Sequence, residues 1–233
     1  MIQSALPAER FSPKALVLDM DGLMVDSEPL WFRVERDFAA ARGGAWTHAL
    51  ADQCVGRGTP YTLSVMSKAF GFTVDVALDA GEMMSAFLGR LDELALKRGC
   101  SELLDDAEGK VPLAVASSSS RRLIRAVLDR FDLARRFRAV ISGEEVLHPK
   151  PAPDIFVRAA AELGVAPAAC AVFEDSLPGA TAGRAAGMFV VAVPEGRWEG
   201  RGFEDVADRI VPDLFAAREA IVLSRDALGR PAG

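Results

Sequence analysis

Five short apolar runs constrain the fold of this chain more than any other feature: Ala15 to Leu18, Leu113 to Ala116, Ala139 to Ile141, Ala171 to Phe173 and Phe189 to Val193. None alternates polar with apolar residues, so each reads as a strand buried on both faces. Helical periodicity fills the intervals. Leu123, Ile124, Val127, Leu128 and Phe131 form an apolar stripe after the second run. Pro153 to Leu163 forms another, with proline in its first turn and Gly164 just past its end. Strands that alternate with helices in this way build a parallel sheet covered on both faces, a Rossmann-like α/β core.

One interval breaks the rhythm. Between Asp19 and Pro112 there is no buried strand, only stretches of mixed apolar and charged character at Leu30 to Ala41, Thr62 to Phe70 and Ala77 to Leu96, separated by glycine-rich breaks. A right-handed crossover needs one helix, not three. The surplus predicts an α-helical cap domain inserted after the first strand. The expected division is a discontinuous core of residues 1–26 and 101–233 and a cap of residues 27–100, with hinges near Asp26 to Pro29 and Lys97 to Ser101.

Bulk properties narrow the function. A net charge of −6 disfavours nucleic acid as a partner, and the basic pairs Arg121-Arg122 and Arg135-Arg136 read as solvated helix faces. No stretch is apolar for long enough to span a bilayer. Met1 to Lys14 lacks the layout of a secretory signal and is expected to be a loose tail. Cys54, Cys100 and Cys170 are odd in number and far apart, which suits a reducing cytoplasm better than disulfides or zinc. A monomer is the simplest expectation.

In open parallel sheets ligands bind beyond the carboxyl ends of the strands, so those ends hold the candidate chemistry. The first run leads into Asp19-Met20-Asp21-Gly22, which places two carboxylates close together but also describes an ordinary turn. The second ends in Ser117, followed by Ser118, Ser119 and Ser120; taken alone, a helix N-cap explains it more readily than a phosphate contact. Lys150 follows the third run between prolines, and the fourth ends in Glu174-Asp175. Acids, a hydroxyl, a lysine and further acids at successive strand ends suit phosphoryl transfer.

With these motifs the chain resembles the haloacid dehalogenase superfamily, most closely in Lys150-Pro151-Ala152-Pro153-Asp154 and in Glu174-Asp175-Ser176 followed by Gly179. The helical insertion is similar to that of the β-phosphoglucomutase-like and CbbY-like branch. The resemblance spans Ala15 to about Val211 and implies a Mg²⁺-dependent phosphatase that acts on a small phosphorylated metabolite. It implies Asp19 as nucleophile, Asp21 as general acid and base, and Lys150 as charge partner. Ser117, the Ser118 N–H and Lys150 bind phosphate. Side chains of Asp19 and Asp175 and the main-chain carbonyl of Asp21 hold the metal, with Glu174 as a further ligand or as a partner behind the ligands.

The cap is expected to set specificity, with the turn Val55-Gly56-Arg57-Gly58-Thr59 as the candidate substrate loop and Trp31 as a further candidate, for which a place in the core is the favoured alternative. Arg57 suits an anionic group; a solvated arginine in an interhelix turn is the plain alternative. The mutase pattern has a histidine where Trp31 stands and an arginine where Thr59 aligns, so their absence favours hydrolysis; Arg57, two positions from Thr59, can stand in for that arginine and keeps a β-phosphoglucomutase-type phosphomutase as the alternative. Asp21 disfavours carbon–halogen cleavage. A non-enzymatic phospho-receiver module uses similar groups but lacks a cap of this size.

Overall fold

The computed structural model describes residues 10–54, 57–194 and 202–224. Six parallel strands form one sheet: β1 (Ala15–Leu18), β2 (Leu113–Ser117), β3 (Ala139–Ser142), β4 (Cys170–Glu174), β5 (Phe189–Ala192) and β6 (Arg209–Ile210). Their spatial order is β3-β2-β1-β4-β5-β6, so the chain winds outward from β1 in one direction and then in the other. The reversal lies between β1 and β4, the place where such sheets bind ligands.

β1 shows how sequence sets the layers. All four of its residues are buried, and successive side chains point to opposite faces. Leu16 and Leu18 join one apolar cluster, while Ala15 and Val17 join the other. The second cluster contains α7 (Asp154–Leu163) and α8 (Leu177–Ala185). The first contains α5 (Cys100–Ala107), α6 (Arg121–Arg130) and α9 (Leu214–Ala217), and it continues into the helices inserted after β1.

These inserted helices are α1 (Glu28–Ala40), α2 (His48–Ala51), α3 (Thr59–Phe70) and α4 (Val76–Leu88). The expected long helix from Ala77 to Leu96 is a correction. It stops at Leu88, a short 3-10 turn follows at Leu91–Glu93, and Leu96 then makes an antiparallel bridge to Val25. The outgoing and returning chains are tied by Asp26 N–H to Ala95 O and Lys97 N–H to Met24 O, at 3.1 and 2.9 Å. A continuous helix cannot supply that extended pairing. Among the described residues, no helix is long and apolar enough to cross a membrane.

Two other expectations change. The N-terminal segment is not loose through Lys14, because the Phe11 ring stacks on Phe189 at 4.5 Å and Phe11 bridges to Ile221. Arg121 is not a solvated residue on a helix face. Its guanidinium binds Glu145 and donates to Val140 O at 2.7 Å, which clamps the start of α6 to the segment after β3.

In the inserted helices Trp46 is buried and donates its indole N–H to Glu35 at 2.9 Å. Burial pushes the Glu35 carboxyl up to about 7, with the Trp46 bond opposing that shift. The raised value means that Glu35 contributes stability below its ordinary pKa of 4.5 and loses it as pH rises through about 7. Glu35→Gln keeps an acceptor for Trp46 without the charge. It should stabilise the protein by roughly 1–3 kcal/mol near pH 8 and by little near pH 4, measured as the pH dependence of the thermal midpoint.

Candidate active site

The sheet brings four chain segments to one edge. β1 lies between β2 and β4, so Asp19, Ser117 and Glu174 emerge side by side, and Asp19 extends the ladder by donating its N–H to Phe173 O at 3.1 Å. Lys150 reaches the same point from the loop after β3; its peptide bond to Pro151 is cis.

The Lys150 ammonium is the hub. Nζ donates to Asp19 Oδ1 at 2.5 Å, Glu174 Oε1 at 2.5 Å and Ala116 O at 3.1 Å. Three acceptors match its three protons. Burial opposes its charge, but Asp19 and Glu174 outweigh burial and hold its pKa above the ordinary lysine value. A buried ion pair persists on such terms only when the remaining donors and acceptors are satisfied.

Glu174 is fully buried, and both of its oxygens are engaged: Oε1 by Lys150, Oε2 by Ser176 N–H at 3.3 Å and Ser176 Oγ at 3.1 Å. Ser176 also caps α8 by accepting from Gly179 N–H at 3.2 Å. Glu174 is thereby tied both to Lys150 and to the start of α8. A β-carbon at Gly179 would lie 2.0 Å from the Glu174 carboxyl, so glycine is required for this approach.

The remaining acids crowd the front of the site. Asp19 is pushed up to about 7, by burial first, against the pull of Lys150 and with help from Glu174 and Asp21. Asp175 is raised well above the ordinary range by burial and by the charges of Glu174 and Asp19. Gly22, at φ +80°, turns the chain beneath Asp175, and a β-carbon there would lie 2.3 Å from Asp175 Oδ2. Asp21 turns toward β2, where Oδ2 accepts from Ser117 Oγ at 3.2 Å and Ser119 Oγ at 2.7 Å. Its Oδ1 is buried without a hydrogen-bond partner.

This donor set suits a hard divalent cation. The acids offer only oxygen, and burial first, with the charges of neighbouring acids after it, leaves Asp19 and Asp175 with raised pKa values that a cation would reverse. Among the described residues, no three His, Cys, Asp or Glu side chains form a metal cluster by themselves. Asp19 and Asp175 are the two side chains whose raised pKa values make them suited to such an ion.

The structure thus brings together Asp19, Asp21, Ser117, Lys150, Glu174 and Asp175. Ser118 is exposed in the loop, with its backbone packed against Gly143. In the cap, Trp31 is half-buried and stacked on Phe87 at 4.3 Å, Thr59 begins α3, and Arg57 is exposed with its guanidinium 4.6 Å from the Tyr61 ring centre. Gly56 and Val55 lie outside the described residues. Sequence reasoning missed Ser119 and Ser142. Ser142 Oγ, buried at the end of β3, donates to Ser119 O at 2.7 Å. Four consecutive serines carry no signal of which one faces the site.

Residues 13–187 match the haloacid dehalogenase-like hydrolase family model. The chain belongs to that hydrolase family. It is 33% identical over 217 residues to CbbY of Rhodobacter capsulatus, covering 88% of this chain and 95% of that protein. It is also 31% identical over 198 residues to hexitol phosphatase B of Escherichia coli K12, covering 77% of this chain and 83% of that protein. Among solved structures, CbbY of Rhodobacter sphaeroides in complex with phosphate superposes with a TM-score of 0.80 at 25% identity, covering 87% of this chain and 95% of that one. These relatives place it in the CbbY-like branch and set aside a phospho-receiver module.

Gly179→Ala should cost roughly 1–3 kcal/mol of stability through overpacking, and it should also lower turnover by displacing Glu174 from Lys150. Thermal melting and hydrolase assays on the purified variant measure both effects.

Proposed function

We propose that this protein is a Mg²⁺-dependent phosphatase that hydrolyses a small phosphorylated sugar or polyol through an aspartyl-phosphate on Asp19. The observation that carries the reading is the buried Lys150 ammonium, 2.5 Å from Asp19 Oδ1, at the sheet's switch point. Similarity to a hexitol phosphatase and to CbbY supports the substrate class.

In this reading the Asp19 carboxylate attacks phosphorus as the bond to the ester oxygen breaks, and Asp21 supplies the proton that the leaving oxygen needs. Asp21 then takes a proton from water, which attacks the same phosphorus, frees inorganic phosphate and restores Asp19. Lys150 offsets the charge that would otherwise keep a carboxylate from a phosphate dianion. Ser117 and the Ser118 N–H hold phosphoryl oxygens beside the start of α6. Asp19, Asp175 and the Asp21 carbonyl would hold Mg²⁺, with Glu174 as a further ligand or as a partner behind the ligands; when bound, the ion would supply positive charge to the acids and phosphoryl oxygens.

The helices of residues 27–100 act as a cap that hinges near Asp26 to Pro29 and Lys97 to Ser101, excludes water during the first step and contacts the leaving group. Trp31, Arg57, Thr59 and Gly56 are the proposed specificity positions. Trp31 and Thr59 supply neither the histidine nor the arginine of the mutase pattern, which favours hydrolysis.

Asp19→Asn should lower turnover by roughly 10⁴-fold or more, and chelation of divalent ions should abolish it until Mg²⁺ is restored. Phosphate release across hexose, hexitol and other small phosphate esters, run beside isomerisation of β-glucose 1-phosphate with a bisphosphate primer, measures both reactions. Release from sugar or polyol monophosphates is expected. Turnover by metal-free protein, or isomerisation without release, contradicts the proposal.

A further inference from the structure

Asp21 is the one catalytic acid of the proposed reaction that Lys150 does not touch, so something else must fix it. Its Oδ2 accepts two hydroxyls, from Ser119 at 2.7 Å and Ser117 at 3.2 Å, while Oδ1 has no hydrogen-bond partner. The two serines are not equivalent. Ser117 is the last residue of β2, its oxygen also accepts the Ser119 N–H at 3.1 Å, and its hydroxyl is the one assigned to phosphate. Ser119 makes the shorter bond.

Ser119 is itself held from behind. Its carbonyl accepts from buried Ser142 at 2.7 Å, and the Ser142 oxygen accepts the Glu144 N–H at 3.2 Å. Gly143 packs so closely on Ser118 that a β-carbon would lie 3.0 Å from that backbone. Glu144 accepts the Arg121 N–H at 3.1 Å, and Ser120 caps α6 through the Leu123 N–H at 3.3 Å. A short loop with this many ties can position a carboxyl to a fraction of an ångström, the tolerance that proton transfer demands.

We infer that Ser119 is a positioning residue that orients Asp21 for proton transfer to the leaving oxygen, with the end of β3 as its support through Ser142. The inference rests on the proposed role of Asp21 as general acid. Its consequence depends on the leaving group. A sugar or polyol alkoxide cannot depart without a proton, whereas p-nitrophenolate can. A misplaced Asp21 therefore slows attack on an alkyl phosphate and spares an aryl phosphate, so long as kcat/KM is compared, because that ratio excludes the later hydrolysis of the phosphoenzyme.

The experiment compares parent, Ser119→Ala, Ser119→Thr and Asp21→Asn on the best sugar or polyol phosphate and on p-nitrophenyl phosphate, with thermal melts of each. For Ser119→Ala, kcat/KM on the sugar phosphate should fall roughly 10- to 100-fold, through kcat rather than KM, as expected on loss of a hydrogen bond to a charged group. On p-nitrophenyl phosphate it should stay within about threefold, and Ser119→Thr, which keeps the hydroxyl, should regain most of the loss. Asp21→Asn should show the same split at roughly 10²- to 10⁴-fold. Equal loss on both esters by Ser119→Ala, no loss on either, or no recovery with threonine in a normally melting protein overturns the inference. If Asp21→Asn shows no split, the assignment of Asp21 fails instead.

Discussion

One buried ammonium holds the site together. Lys150 meets Asp19, Glu174 and the end of β2 within hydrogen-bond distance, in a buried region of the molecule. Two unit charges 4 Å apart interact by about 4 kcal/mol at an effective dielectric near 20, and the like charges of Asp19, Glu174 and Asp175 repel on the same scale. Without Lys150, the acids would escape that repulsion by taking up protons or by moving apart. With it, Asp19 is held in one orientation against β4, and Glu174 is drawn under the N-terminus of α8, where Ser176 completes its bonds.

The sheet makes this contact possible, since β1 lies between β2 and β4 and the chain reverses its winding there. Asp19, Ser117 and Glu174, distant in sequence, arrive at one edge on strand ends, and Lys150 joins them from the loop after β3. Gly22 and Gly179 do the remaining fitting, because each occupies a spot where a β-carbon would strike an acid of the site. Core and site are thus built from the same strands: side chains along the strands form the core, and Asp19, Ser117 and Glu174 lie at the ends of β1, β2 and β4.

The parallel sheet was legible in the sequence because strands buried on both faces leave continuous apolar runs, and five of the six strands lay at or within a residue or so of those runs. β6 was not, since Arg209–Ile210 is a two-residue edge with no such run. The helix expected from Ala77 to Leu96 failed beyond Leu88, where an antiparallel tie to Val25 overrides local propensity. Asp19, Lys150, Glu174 and Asp175 could be named because they end strands or flank prolines. Ser119 and Ser142 could not, as their importance lies in contacts between β2 and β3 that leave no trace in spacing. That Glu174 binds Lys150 and Ser176 is likewise a matter of geometry, seen in where its two oxygens point.

The central claim is that the phosphoryl group passes through Asp19. Rapid acid quench of the enzyme during turnover of its best substrate, followed by borohydride reduction and mass spectrometry of the peptides, tests it most directly, because reduction of an acyl phosphate converts the aspartate to homoserine. The account predicts homoserine at position 19 that depends on both substrate and Mg²⁺. Homoserine at another acid of the site, or phosphate retained on a serine of the loop after β2, would contradict it.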